Sequence, residues 1–132
     1  MKATTLFLSL ALLIFSCNNE GTDCENTICT TDFRVVSVKI VDQSGASVEL
    51  TRSEVADADG NVFIRDMSDV DRTELFYLIA SDGNQGDLKL GENTVTFRGW
   101  IDDELVVEQE YVIGLDCCHI SKVSGPEEIS ID

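Results

Sequence analysis

From Leu105 to Ile113 the chain alternates. Leu105, Val107, Tyr111 and Ile113 share one face, broken only by Gln109, and Glu108 and Glu110 occupy the other. A period of two places successive side chains on opposite sides of an extended strand, so such a segment buries its apolar half only within a sheet. The signature recurs along the chain. Phe33 to Val41 carries apolar groups on both faces (Phe33, Val35 and Val41 against Val36, Val38 and Ile40), as a central strand would. Val48 and Leu50 alternate with Ser47, Glu49 and Thr51, and Val95 and Phe97 with Thr94, Thr96 and Arg98. Turn residues separate these runs: Asp42-Gln43-Ser44-Gly45, Asp59-Gly60-Asn61, Asp82 to Gly86, and Gly91-Glu92-Asn93. Short strands at regular spacing with turn signals between them predict an all-β sandwich. Asp102-Asp103-Glu104 reads as an acidic hairpin tip, and Trp100, the sole tryptophan, is expected in the core. Met67 to Glu74 (MSDVDRTE) suits a helical turn as well as a connection.

The N-terminus follows a different rule. Lys2 precedes an apolar run from Leu6 to Phe15, interrupted only by Ser9, and the chain then switches abruptly to CNNEGTD. Ten residues are too few to span a bilayer, which needs roughly 20, but they have the length of a secretory h-region with a small residue, Ser16, at the cut. Ile14-Phe15-Ser16-Cys17 resembles the lipobox of bacterial lipoproteins. The resemblance implies diacylglycerol on the Cys17 sulfur, cleavage just before it, and acylation of the new amine. Several acyl chains on one residue exceed what stable anchoring requires. Asn18, where an Asp would mark retention, resembles the pattern of lipoproteins forwarded to the outer membrane. Residues 1–16 are thus expected to be a signal peptide, 17–32 a lipidated cysteine and polar tether, and 33–132 the sandwich.

Removing 1–16 leaves 116 residues, one domain in size, with eight basic against twenty-five acidic residues, a formal charge of −17. Such a surface repels phosphate backbones, and no basic cluster counters it, so nucleic acid is excluded as a partner. Charge-driven binding to anionic headgroups is disfavoured likewise. The expected partners are a membrane, through the N-terminal lipid, and an envelope protein or glycan of unspecified identity.

Cys24, Cys29, Cys117 and Cys118 remain once Cys17 is lipidated. Export places an even number of cysteines in an oxidising space, which is read as a disulfide framework. Adjacent Cα atoms lie about 3.8 Å apart, below the usual 4.4 Å minimum for a relaxed bridge, and on a strand the two side chains point to opposite faces, which disfavours a Cys117–Cys118 bond. Two connectivities remain open, and both join the tether to the end of the sandwich. The competing chemistry treats these thiols and His119, the only histidine, as a metal or redox site. Against it, Cys24 and Cys29 are separated by four residues rather than two, and no C-x-x-C motif is present.

Other chemistry finds little support. A lone histidine excludes zinc sites needing two or three imidazoles. No G-x-S-x-G elbow accompanies the many serines. Asp57-Ala58-Asp59-Gly60-Asn61 faintly suggests a calcium loop, but it lacks the later glycine and the bidentate glutamate, so a turn is expected. No catalytic residue, cofactor or metal site is assigned.

The stretch VKIVDQSGASVELTRSEVADADGNVFI, residues 38–64, resembles the opening of the carboxypeptidase regulatory-like domain family. There a strand ending in Asp runs through a Ser/Gly turn, a residue pair often Pro-Val, and a "DG" turn; here Ala46-Ser47-Val48 stands in place of that pair. The tail YVIGLDCCHISKVSG, Tyr111 to Gly125, resembles the end of small lipoproteins of the Bacteroidetes. These resemblances imply a prealbumin-like or immunoglobulin-like sandwich of seven to eight strands, used as a folding and interaction module without catalytic activity. The expectation is a lipid-anchored accessory or binding module of the cell envelope, with a thiol-dependent metal or redox protein as the alternative.

Overall fold

A computed structural model of the chain describes residues 24–67 and 75–132. Within them the alternation becomes pleat. Strand β1 (Val35–Val41) buries Val36, Val38 and Ile40; β5 (Gly91–Ile101) buries Val95 and Phe97; β6 (Glu104–Leu115) buries Val107, Tyr111, Ile113 and Leu115. The remaining strands are β2 (Arg52–Asp57), β3 (Val62–Met67), β4 (Phe76–Ser81), β7 (Ile120–Ser124) and β8 (Glu128–Ser130). A short 3-10 segment, Asp82–Asp87, follows β4.

The eight strands form two sheets, one in the order β3-β2-β5-β6-β7 and one in the order β4-β1-β8. All pairings are antiparallel except β1 with β8. The core lies between the sheets. Tyr77, Phe97 and Tyr111 are its largest buried side chains, and the Tyr77 and Phe97 rings sit tilted with centroids 6.2 Å apart. Both tyrosine hydroxyls find partners, as buried phenols must. Tyr77 Oη accepts the Leu50 N–H at 2.6 Å, and Tyr111 Oη donates to the Pro126 carbonyl at 2.9 Å. Close packing dictates one glycine: a Cβ on Gly125, whose φ is +123°, would come within 2.1 Å of the Tyr111 ring. An all-β, two-sheet, eight-stranded arrangement therefore matches the fold class read from the alternation.

Three local expectations need correction. Leu105 does not share the buried face with Val107, since it is 46 % exposed. The β5–β6 register shifts between Gly99 and Trp100, and a bulge of this kind turns the side chains beyond it to the other face. Trp100 is not a core residue either; it is half-buried opposite Arg52, whose guanidinium lies 4.0 Å from the ring centroid. Cys117 and Cys118 lie in the turn after β6 rather than on a strand, so the period-two argument does not apply to them. Of the segment 67–74, residues 68–74 lie outside the described residues, as do Cys17 and the proposed signal peptide.

Candidate functional site

The polar chemistry of the molecule gathers at one end. Leu115 pairs with Ile120 across the β6–β7 turn, and Val35 pairs with Ser81 where β1 meets the end of β4. Residues 24–33 form a strap that lies against this end and is held by two disulfides, Cys24–Cys117 and Cys29–Cys118. Their Cα–Cα distances, 5.4 and 5.2 Å, fall within the ordinary range for a bridge. Of the two connectivities left open above, the structure takes this one. It is available because Asp116 pins the turn: its Oδ1 accepts the N–H of Cys118 and of His119, both at 2.7 Å. The turn presents both sulfurs to the same short stretch of chain.

His119 stands directly beyond the bridges with its side chain 10 % exposed. Its Nδ1 lies 2.8 Å from Asp82 Oδ2 and its Nε2 lies 2.9 Å from Thr30 Oγ1. A carboxylate only accepts, so a neutral ring carries its proton on Nδ1 and accepts the Thr30 hydroxyl proton at Nε2. Asp82 is the hub. Oδ2 also accepts the Arg34 N–H at 2.8 Å, and Oδ1 accepts the Ile120 N–H at 2.8 Å and the Gln85 amide at 3.3 Å. Burial pushes the Asp82 carboxyl up, but the N–H groups of Ile120 and Arg34, with His119 and Gln85, outweigh it and hold the group well below the usual carboxylate range. Gln85 in turn donates to the Cys118 carbonyl at 2.6 Å. One carboxylate thereby ties together the strap, β1, the 3-10 segment and the start of β7.

A hydroxyl, an imidazole and a carboxylate in line have the order of a proton relay. The nearby turn N–H groups of Cys118 and His119 already donate to Asp116, so neither is free to receive a developing oxyanion. The arrangement serves as a clamp. The four thiols named in the metal or redox alternative are paired here as disulfides, and sulfur in a disulfide offers no thiolate to a metal. Among the described residues, no group of three or more His, Cys, Asp or Glu is arranged to hold a metal ion. The Asp57 loop is a turn, as expected. Asp57 Oδ1 accepts the N–H of Asp59 and Asn61, and Oδ2 accepts the Asn61 amide, so the carboxylate closes its own turn.

Asp82, Thr30, Arg34 and Gln85 were not legible as site residues. The signal available was Asp82 at the head of a turn, and 37 residues separate it from His119. Beside the clamp, a groove of about 530 Å³ opens where β1 and β7 face one another, lined among others by Val35, Ser37, Ile120 and Ser121. No family model, curated protein or solved structure matches this chain.

Proposed function

We propose that this chain is a lipid-anchored module of the bacterial cell envelope that works by binding rather than by catalysis, with acyl chains on Cys17 as its hold on the outer membrane. The observation that supports the reading is the double clasp. Two disulfides suit an oxidising, exported location, and they fasten the chain seven residues after Cys17 to the end of the sandwich. An anchor tied this way holds the whole domain by its covalently strongest corner. The outer faces of both sheets and the β1–β7 groove are then what the module offers to an envelope protein or glycan.

Metabolic labelling with a tagged fatty acid tests the anchor. The wild-type chain takes up label and fractionates with membranes, and Cys17→Ser takes up none and keeps its leader or leaves the membrane fraction. Equal label in the Ser variant would refute the assignment.

A further inference from the structure

The clasp does more than resist unfolding; it fixes which part of the domain meets the bilayer. Cys17 precedes Cys24 by seven residues, and a chain of that length spans at most about 25 Å when fully extended. Cys24 is bonded to Cys117, so the end of the sandwich carrying residues 24–33, the β6–β7 turn and the 3-10 segment stays within that distance of the headgroups.

That same end holds apolar side chains out to solvent. Ile28 is 95 % exposed and Phe33 is 66 % exposed, and Val35, at the start of β1, is 55 % exposed. Ile28 sits between the two bridged cysteines of the strap, adjacent to Cys29, so it is held outward by a covalently fixed backbone. Neither residue contributes to the core between the sheets. Large apolar groups displayed in this way beside a lipid anchor have an obvious apolar phase within reach, the boundary of headgroups and acyl chains about 5–10 Å deep.

We propose that Ile28 and Phe33 form a second, side-chain contact with the bilayer, seating the clasped end of the domain on the membrane surface. The proposal rests on lipidation at Cys17. The exposed acids on the strap, Glu25 and Asp32, select a zwitterionic rather than an anionic surface for this contact. The other end of the sandwich then points away from the membrane. Trp100 pairs with Leu105 beside the β5–β6 hairpin, and β6 runs from there to Leu115 at the clasp, so a rise of about 3.3 Å per residue puts the indole some 30 Å from the seated end.

Trp100 is therefore a built-in control. The experiment reconstitutes the lipidated mature protein in phosphatidylcholine–phosphatidylethanolamine vesicles, with and without bromine high on the acyl chains. Three proteins are compared: the wild type, Trp100→Phe with Ile28→Trp, and Trp100→Phe with Phe33→Trp. Positions this exposed accept tryptophan without repacking, and circular dichroism of each variant confirms its fold. The expected result is blue-shifted emission and roughly twofold or greater quenching by bromine for tryptophan at 28 and at 33, with Trp100 unaffected. Unquenched emission at both positions, in protein that floats with the vesicles and carries the acyl mass on its Cys17 peptide, overturns the seating and leaves the anchor intact. Protein without that acyl mass overturns the anchor itself, and the seating with it.

Discussion

Between the two sheets, Val38, Ile40, Val55, Ile79, Phe97 and Ile113 are wholly excluded from solvent and carry no polar group to satisfy. At the clasped end, a few residues of strap and a four-residue turn bury one histidine and one carboxylate and little else that is apolar. The first region is stabilised by water leaving apolar surface, an effect that needs many side chains and tolerates modest reshaping. The second is held by two covalent bonds and a hub of hydrogen bonds on Asp82, which need particular atoms at particular distances. On the proposed lipidation of Cys17, a small domain would gain from this division. The interior keeps the sheets together, and the corner keeps the anchor's position fixed relative to them.

The contrast is broken most severely by reduction. Cross-links spanning 93 and 89 residues restrict the unfolded chain far more than the folded one. Reducing both should cost about 5 kcal/mol in the chain-entropy model, a fall in melting temperature of roughly 20 °C at about 4 °C per kcal/mol. Calorimetry with and without a phosphine reductant reads it, and non-reducing peptide mapping should recover Cys24 with Cys117 and Cys29 with Cys118. A reduced protein melting within a few degrees of the oxidised one would show that the corner is held by its hydrogen bonds alone.

In the interior, Phe97→Ala should cost about 3–5 kcal/mol through lost burial and the cavity left beside Tyr77. Its effect should be the same in oxidised and reduced protein, because distant, independent sites add. A strongly redox-dependent penalty would mean that core and clasp form one network and that the division drawn above is false.

The two regions also differed in how far the sequence revealed them. The strands and their turns were readable because alternation and Asp-Gly punctuation are local properties: Asp57 to Asn61 folds as its own residues dictate. The exclusion of a vicinal bridge was likewise local. The choice between the two remaining pairings was not, since it depends on Asp116 curling Cys117 and Cys118 into a turn. Nor could Asp82 be matched to His119, because their meeting depends on how the end of β4, in one sheet, faces the start of β7, in the other. Leu105 differs for a third reason: one extra residue in β6, Val106, inverts the parity along that strand. Trp100 keeps the β5 alternation, which puts it on the outer face with Arg98, one position past buried Gly99.

Acid distinguishes the regions next. The Asp82 carboxyl has its folded pKa depressed, so its contribution is fully present above the unfolded value near 3.9 and is lost as pH falls through the folded one. Asp116, held down first by the His119 N–H and then by that of Cys118, acts in the same sense at the same corner. The melting temperature of the wild type should fall steeply below about pH 4. Asp82→Asn, which brings an amide donor against the Arg34 N–H and the His119 ring, should melt lower at neutral pH and show a flatter acid limb. An Asn variant that keeps the wild-type slope would remove Asp82 from the hub.

The smallest expected effect lies on the outer face of the larger sheet, where charges of opposite sign stand in a row. Arg65, Glu54, Arg98 and Glu108 stand opposite one another across β3, β2, β5 and β6, alternating in sign. Arg98 Nε lies 2.7 Å from Glu108, and its Nη1 lies 3.9 Å from Glu54. The Arg98 and Glu108 side chains remain 34 and 55 % exposed, so water and salt reach the pair. A double-mutant cycle of Arg98→Met and Glu108→Gln should give a coupling of about 0.3–1 kcal/mol. In 1 M salt, where the screening length shrinks to about 3 Å, most of that coupling should disappear. The Asp82–His119 contact is largely shielded from solvent, and its coupling should survive the same salt. If both couplings collapse together, the clasped end is wetter than its burial indicates. If both persist, the charged row on the sheet is itself a rigid element of the fold and not a solvated surface.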